Sequence, residues 1–215
     1  MDISTLSSLE RLFSGKAALT KLNITNMIRM ISSCYSLTSL DISHLNTKNV
    51  NYMNYMLSHL TSMKSIDISN FNLTNVRDMS NMFMCCMNLT FVNLSNFNAD
   101  NLWAMKNIFS TCYSLMSVDF TNFKAPNLVT IDNAFEICTS LKTLDLSRIQ
   151  APKLEYLQSD FKNCYSIESI DLSNFNLSKT LKKYSMFANC FPLKYVNLRN
   201  LEVEIEEEGY MLWVF

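Results

Sequence analysis

A chain of 215 residues that is 48% hydrophobic can bury a substantial core as one or two domains, which excludes a disordered polymer. Its formal net charge of −1, with no cluster of Lys and Arg interleaved with aromatics, gives DNA or RNA no footing. No window holds the ~18 uninterrupted apolar residues that a membrane-spanning helix needs.

The opening stretch, "MDISTLSSLERLF", has an early Asp, no basic leader and no unbroken apolar run. It does not read as a secretory signal, which leaves a cytoplasmic location open. Leu6, Leu9, Leu12, Phe13 and Leu19 fall on the apolar columns of the repeats that follow, with Lys16 in a slot that later holds Cys. The next copy, Ile24 through Cys34, has lost eight residues of strand and turn. Residues 1–36 are therefore expected to form irregular N-terminal repeats that cap the stack.

From Leu37 the frame becomes regular. Leu37, Met63, Leu89, Leu115, Leu141, Ile167 and Leu193 lie 26 residues apart, and each opens the pattern apolar-x-x-apolar-Asp/Asn-apolar-Ser/Thr, with Arg199 in the last place of the seventh copy. A fixed internal period of this length with L-x-x-L-x-L is of leucine-rich-repeat type, here spanning 37–201. Within a copy, Leu40-Asp41-Ile42-Ser43 alternates with the two-residue period of a strand. Val76, Met79, Met82, Phe83 and Cys86 are then spaced by three and four, which predicts a short helix or irregular turn. Asn49, Asn75, Asn101 and Asn127 precede that segment, where a side-chain oxygen can cap free N–H groups. Pro126 and Pro152 help halt the incoming extended segment.

One such coil cannot bury both of its apolar edges, but stacking gives a continuous core, with parallel strands at ~4.8 Å. The expected fold is one continuous α/β leucine-rich-repeat solenoid, with a parallel β-sheet on one face and short helical or irregular returns on the other. Repeated residues become columns. Phe83, Phe109, Phe135, Phe161 and Phe187 form one, headed by Leu57; Phe71, Phe97, Phe123 and Phe175 form another, interrupted by Ile149. Residues 202–215 read as a truncated repeat or cap: Leu212-Trp213 falls on the Met-Phe columns, and the acidic run Glu202 to Glu208 suits a solvated cap better than an interaction tail.

The units "CYSLTSLDIS" and "SNFNLTNVRDMSNMF" resemble those of the BspA-like leucine-rich repeat proteins, whose variant runs "LDLSNFNT..NVTNMS.MF..C". The resemblance covers nearly the whole chain. It implies a solenoid displayed at the cell surface or outside the cell, with adhesion to host proteins or other cells, and recognition by the repeats rather than by catalytic residues. A non-catalytic protein-binding role with a protein ligand of unknown identity follows; an intracellular interaction scaffold is the alternative.

Cys34, Cys86, Cys112, Cys138, Cys164 and Cys190 share one column, with Leu60 in the missing slot. Parallel coils hold neighbouring Cβ vectors side by side, which suits a disulfide dihedral poorly, and Leu60 marks the site as apolar. Buried thiols are expected over disulfides or a metal ladder. Cys85 stands outside the column, adjacent Cys85-Cys86 lacks zinc-site spacing, and only His44 and His59 are available to assist. With two glycines and no G-x-S-x-G elbow or phosphate loop, neither an enzyme nor a cofactor or metal is expected.

The candidate ligand-facing column is Asp41, Asp67, Asn93, Asp119, Asp145, Asp171 and Asn197. Each stands between inward apolar residues and should point from the open face of the sheet. Carboxylates ~4.8 Å apart repel by roughly 1 kcal/mol in bulk water and ~3.5 at an effective dielectric of 20. Hydroxyls at Ser43, Ser69, Ser95, Thr121, Ser147 and Ser173, or backbone amides at the turn, relieve this on one account. A bound cation or a basic stretch of a partner relieves it on the other. Tyr35, Met87, Tyr113, Thr139, Tyr165 and Phe191, directly after the Cys column, make a flank stripe suited to packing between coils or to anchoring a partner. Asn23, Asn72, Asn88, Asn93 and Asn176 head N-x-S/T triplets that follow the repeat's own composition.

Overall fold

The computed structural model describes residues 25–175 and 185–197. The apolar residues from Leu6 to Leu19, the acidic run Glu202 to Glu208 and the Leu212-Trp213 pair lie outside the described residues, as does most of the expected N-terminal cap.

The apolar-Asp/Asn-apolar alternation folds into three-residue strands: β1 (Phe91–Asn93), β2 (Ser117–Asp119), β3 (Thr143–Asp145), β4 (Ser169–Asp171) and β5 (Tyr195–Asn197). The central residues Val92, Val118, Leu144 and Ile170 are buried while their neighbours turn outward, as strand pleating requires. Pairing is parallel and in register at the repeat interval: Val92 faces Val118, and Leu144 faces Ile170, which faces Val196. The strands form a β1-β2 sheet and a β3-β4-β5 sheet. The break falls where Phe120 fills the slot of Leu94, Leu146 and Leu172; its ring packs edge-on against Phe123 at 5.8 Å and Phe135 at 6.5 Å.

Two further parallel ladders run up the stack. One links Asn26, Tyr52, Asp78, Ala104, Thr130 and Tyr156, and the other links Asn98, Lys124 and Gln150. Each coil is thus tied to its neighbours at several points, all offset by the repeat length, and the chain is a parallel-stranded repeat solenoid.

The helical return is a correction, because no helix occurs among the described residues. In the return that holds Val76 to Cys86, Met82, Met84 and Cys86 N–H groups donate three residues back, to Met79, Asn81 and Phe83 carbonyls. The alternate N–H groups of Met79, Asn81, Phe83 and Cys85 donate instead to Ala104, Lys106, Ile108 and Ser110 of the next coil. A helix would spend all of these on its own i−4 carbonyls. Left-handed backbone at Asn81 (φ 62°) and Cys85 (φ 60°) stops that ladder and produces consecutive tight turns. The spacing of three and four reflects one buried side chain per turn. Both left-handed positions recur throughout, the first from Arg29 and Tyr55 to Ser185 and the second from Ser33 and His59 to Asn189.

The N-cap role for Asn49, Asn75, Asn101 and Asn127 falls with the helix. The side-chain amides of Asn75, Asn101 and Asn127 donate to Lys48, Thr74 and Asp100 carbonyls in the preceding coil, at 2.7 to 2.8 Å. Lys153 takes the next place in that column, its Nζ 2.6 Å from Asn127 Oδ1. These residues tie coils together.

The interior is built of columns. Rings of Phe83, Phe109, Phe135, Phe161 and Phe187 stack with centroids 5.5 to 5.8 Å apart, Leu57 lying buried at the head of the row. Phe71, Phe123, Ile149 and Phe175 are buried in the second column, and Phe97 packs against it partly exposed.

Candidate interaction surface

The strands end on Asn93, Asp119, Asp145, Asp171 and Asn197, and Asp41 and Asp67 hold the same place in two earlier coils that have no assigned strand. Along this column from Asp41 to Asp171, Oδ1 accepts the backbone N–H two residues on, from Ser43, Ser69, Ser95, Thr121, Ser147 and Ser173, at 2.8 to 2.9 Å. The side chain therefore closes an Asx turn that carries the chain out of the strand. Ser43 and Ser147 hydroxyls donate to the same oxygens. These bonds hold Asp41 and Asp67 below the usual carboxylate range, the Ser43 hydroxyl leading at Asp41 and the Ser69 backbone N–H at Asp67.

Other contacts temper the repulsion along the row. Asn197 Nδ2 donates to Asp171 Oδ2 at 3.1 Å, Arg148 Nε lies 3.8 Å from Asp145 Oδ2, and His44 Nε2 lies 4.0 Å from Asp41 Oδ2. Asn93 separates Asp67 from Asp119 with a neutral amide. Among the described residues no group of three His, Cys, Asp or Glu side chains is placed to hold a metal ion.

Beside this polar row the same face exposes apolar side chains. Phe91 and Tyr195 open β1 and β5 and point outward, where Ser65, Ser117, Thr143 and Ser169 stand in other coils. Met116, just before β2, is 60% exposed. Next to it runs the flank stripe, with Tyr35, Tyr113, Tyr165 and Phe191 all exposed. Tyr165 and Phe191 stack nearly parallel at 6.4 Å, yet Phe191 keeps 81% of its surface in solvent. The face can therefore make apolar contacts at several heights beside a regular row of hydrogen-bond acceptors.

The cysteine column lies behind that stripe. Cys34, Cys86, Cys112, Cys138, Cys164 and Cys190 are buried and Cys85 is half-buried, none of them in a disulfide. The thiols of Cys86, Cys112, Cys138, Cys164 and Cys190 donate to carbonyls of Leu57, Phe83, Phe109, Phe135 and Phe161 in the preceding coil, at 2.9 to 3.2 Å. Burial pushes the thiols up, to about 12 at Cys86 and Cys164 and about 11 at Cys190, so thiolate chemistry is suppressed. The thiol-to-carbonyl bond was missed in the sequence, where Leu60 in the same column points to an apolar slot alone.

Sequence reasoning also passed over Asp160. It occupies a column that otherwise reads Met30, Met56, Met82, Ile108, Ala134 and Met186, and a lone acid at the repeat interval was the available signal. Trp103 and Tyr52, exposed beside the Asp78–Ala104 ladder, were likewise not singled out.

The geometry defines a class, a parallel-stranded repeat solenoid with a polar and aromatic open face. The family model described as "Mycoplasma protein of unknown function, DUF285" matches residues 7–117 and 86–197, and the chain belongs to that family. No curated protein matches it. Among solved structures it is similar to a leucine-rich repeat protein from Bacteroides ovatus, at 16% identity over 80% of this chain and 70% of that one, with a TM-score of 0.27. A leucine-rich cell surface protein from Faecalibacterium prausnitzii matches at 15% identity over 81% and 76%, with a TM-score of 0.22. The functional domain of InlJ from Listeria monocytogenes, described as including a cysteine ladder, matches at 14% identity over 85% of this chain and 46% of that one, with a TM-score of 0.27.

Proposed function

We propose that the chain is a non-catalytic protein-binding solenoid whose strand face and aromatic flank contact the partner. The supporting observation is the exposure of Phe91, Met116 and Tyr195 at positions where other coils carry small or polar residues. The solvent-exposed parts of these side chains add nothing to the stack, and grouped on one face they suit a partner surface. Solenoids bind through extended faces, with affinity distributed over many side chains. The resemblance of the units to BspA-like proteins supports display at the cell surface and adhesion as the form this binding takes. An intracellular scaffold is the second reading, favoured by cysteines that form no disulfide, which suit a reducing compartment.

The test replaces Phe91→Ser, Met116→Thr and Tyr195→Ser together, each change borrowing a residue found at the same place in another coil. Proteins captured by the native chain and lost by this variant, at equal melting temperature, support the reading. Equal capture by both chains overturns the assignment to this face.

A further inference from the structure

Asp160 is fully buried, and its neighbours in the column are Ala134 below and Met186 above. One carboxyl oxygen, Oδ1, accepts a long hydrogen bond of 3.3 Å from the Ala134 N–H, and the residue's own backbone N–H adds a weaker interaction. The other, Oδ2, is buried with no hydrogen-bond partner. An ionised carboxylate in such a place needs a paired cation or several good donors, and among the described residues it has no paired cation and only these weak backbone donors. From the coil below it faces the Asp132 carboxylate, whose Oδ2 is bonded to Lys106 Nζ at 3.1 Å and whose Oδ1 accepts the Gln158 N–H at 3.0 Å. On its own coil it faces the Cys164 thiol, which in turn feels Glu136, and Glu136 is paired with Lys162 at 4.0 Å. Lys106 and Lys162 thus neutralise other acids. Among the described residues, the coil above contributes apolar Met186.

We propose that Asp160 is a proton-dependent clasp: the carboxyl keeps its proton while the coils through Ala134, Asp160 and Met186 stay stacked, and losing that proton loosens the C-terminal coils. Burial, reinforced by Asp132, holds the acid well above the usual carboxylate range despite the Ala134 N–H. The folded state therefore binds a proton that the unfolded chain releases near pH 4. Stability from this group is complete below that value and is lost as pH rises through the folded one. The unfolding constant grows about tenfold per pH unit in between. The loss concentrates where Phe161 and Asn163 N–H groups bond Met186 and Ala188 carbonyls, because coils contact only their neighbours.

The test is urea unfolding of the native chain, Asp160→Asn and Asp160→Met between pH 4.5 and 9, with amide hydrogen exchange at each pH. Asp160→Met restores the residue that Met56, Met82 and Met186 supply elsewhere, so it serves if the amide variant folds poorly. The native chain should lose about tenfold per unit relative to the variants until Asp160 ionises. Its exchange at Phe161 and Asn163 should quicken beyond the intrinsic pH effect. In parallel, a carbon-13 titration of the native chain should find one Asp carboxyl that ionises well above all the others. Parallel stability curves for native and variant chains, or native spectra in which every Asp titrates in the ordinary carboxylate range, overturn the proposal.

Discussion

Replacing the half-buried apolar Ile137 with asparagine should stabilise the protein. Ile137 sits in left-handed backbone at φ 62°, with its N–H bonded to the Lys162 carbonyl at 2.8 Å, so neighbouring coils enforce the conformation. For a β-branched residue this region costs about 1–2 kcal/mol, which Asn largely avoids. The next two coils carry Asn163 and Asn189 at the same place, joined by an Asn189 Nδ2 to Asn163 Oδ1 bond of 2.7 Å. A third asparagine extends that ladder and adds about 0.5–1 kcal/mol. Against this stands the burial lost by a half-exposed Ile side chain, about 1 kcal/mol. The balance is a gain of about 1 kcal/mol, or roughly 2–4 °C in melting temperature for a chain of this size. Differential scanning calorimetry on Ile137→Asn, Ile137→Val and Asn163→Ile measures it. Ile137→Val keeps the branch and should gain nothing, and Asn163→Ile should lose about 1–2 kcal/mol. A melting point for Ile137→Asn below the native one would show that the left-handed position is not strained and refute the reasoning.

The ring column gives a larger effect: Phe135→Ala should cost about 3–5 kcal/mol and remove two stacked contacts, at 5.5 and 5.8 Å. Phe135→Leu, which copies Leu57 in the same column, should cost far less, and equal losses in urea denaturation would rule out a packing role for the rings. Thiol titration at pH 8 should find six of the seven cysteines silent until the protein is denatured, with Cys85 reacting first; ready reaction of most of them would contradict their burial. Millimolar calcium should leave the melting temperature unchanged, because Oδ1 along the Asp column is committed to Ser and Thr N–H groups, and a clear upward shift would restore the cation account. Asp41 and Asp67, held low when folded, contribute stability that is present above about pH 4 and lost as pH falls through their folded values. Asp67→Asn, which copies Asn93, should flatten that acid limb in a pH series of melts, and an unaltered limb would separate Asp67 from it.

The register was legible because parallel stacking turns a linear interval into a spatial column, so Leu89 and Leu115 announce one another without any knowledge of the turns between. Burial of Val92 and Ile170, and outward placement of Asp67 and Asp145, follow from alternation alone. The return was harder. Met79, Met82, Phe83 and Cys86 have helical spacing, and nothing apolar distinguishes a helix from consecutive turns with one buried residue each. The distinguishing signal was polar: Asn81, Asn107 and Asn133 at one left-handed position, and Asn163 and Asn189 at the other, where Asn is tolerated and a helix interior is not its preference. The near absence of glycine obscured it, since Tyr55, Thr111 and Ile137 occupy places that glycine usually marks. On the candidate surface the Asp column was visible from its period, and donation by backbone amides at the turn was one of two accounts the sequence offered; the choice between them was not legible, because an Asx turn depends on where the Ser N–H points after the strand ends.

The relative importance of sheet and return is also inverted from what the sequence suggests. Strand pairing lapses between β2 and β3 and dwindles to isolated bridges such as Ser65–Phe91 lower in the stack. The return bonds do not lapse: they run from Met27 to Tyr52, Met53 to Asp78, Met79 to Ala104, Met105 to Thr130 and Ile131 to Tyr156, and continue from Phe161 to Met186. The shortened copy is the decisive case. Although Ile24 through Cys34 follows the loss of eight residues of strand and turn, Met27, Arg29, Ile31 and Ser33 still donate to Tyr52, Asn54, Met56 and Ser58 in the same alternating pattern. A copy shortened in sequence thus keeps its place through the return. The return holds the coils in register, and the strand face is left free to vary its outward residues, as the change from Ser65 to Phe91 and back to Ser117 shows.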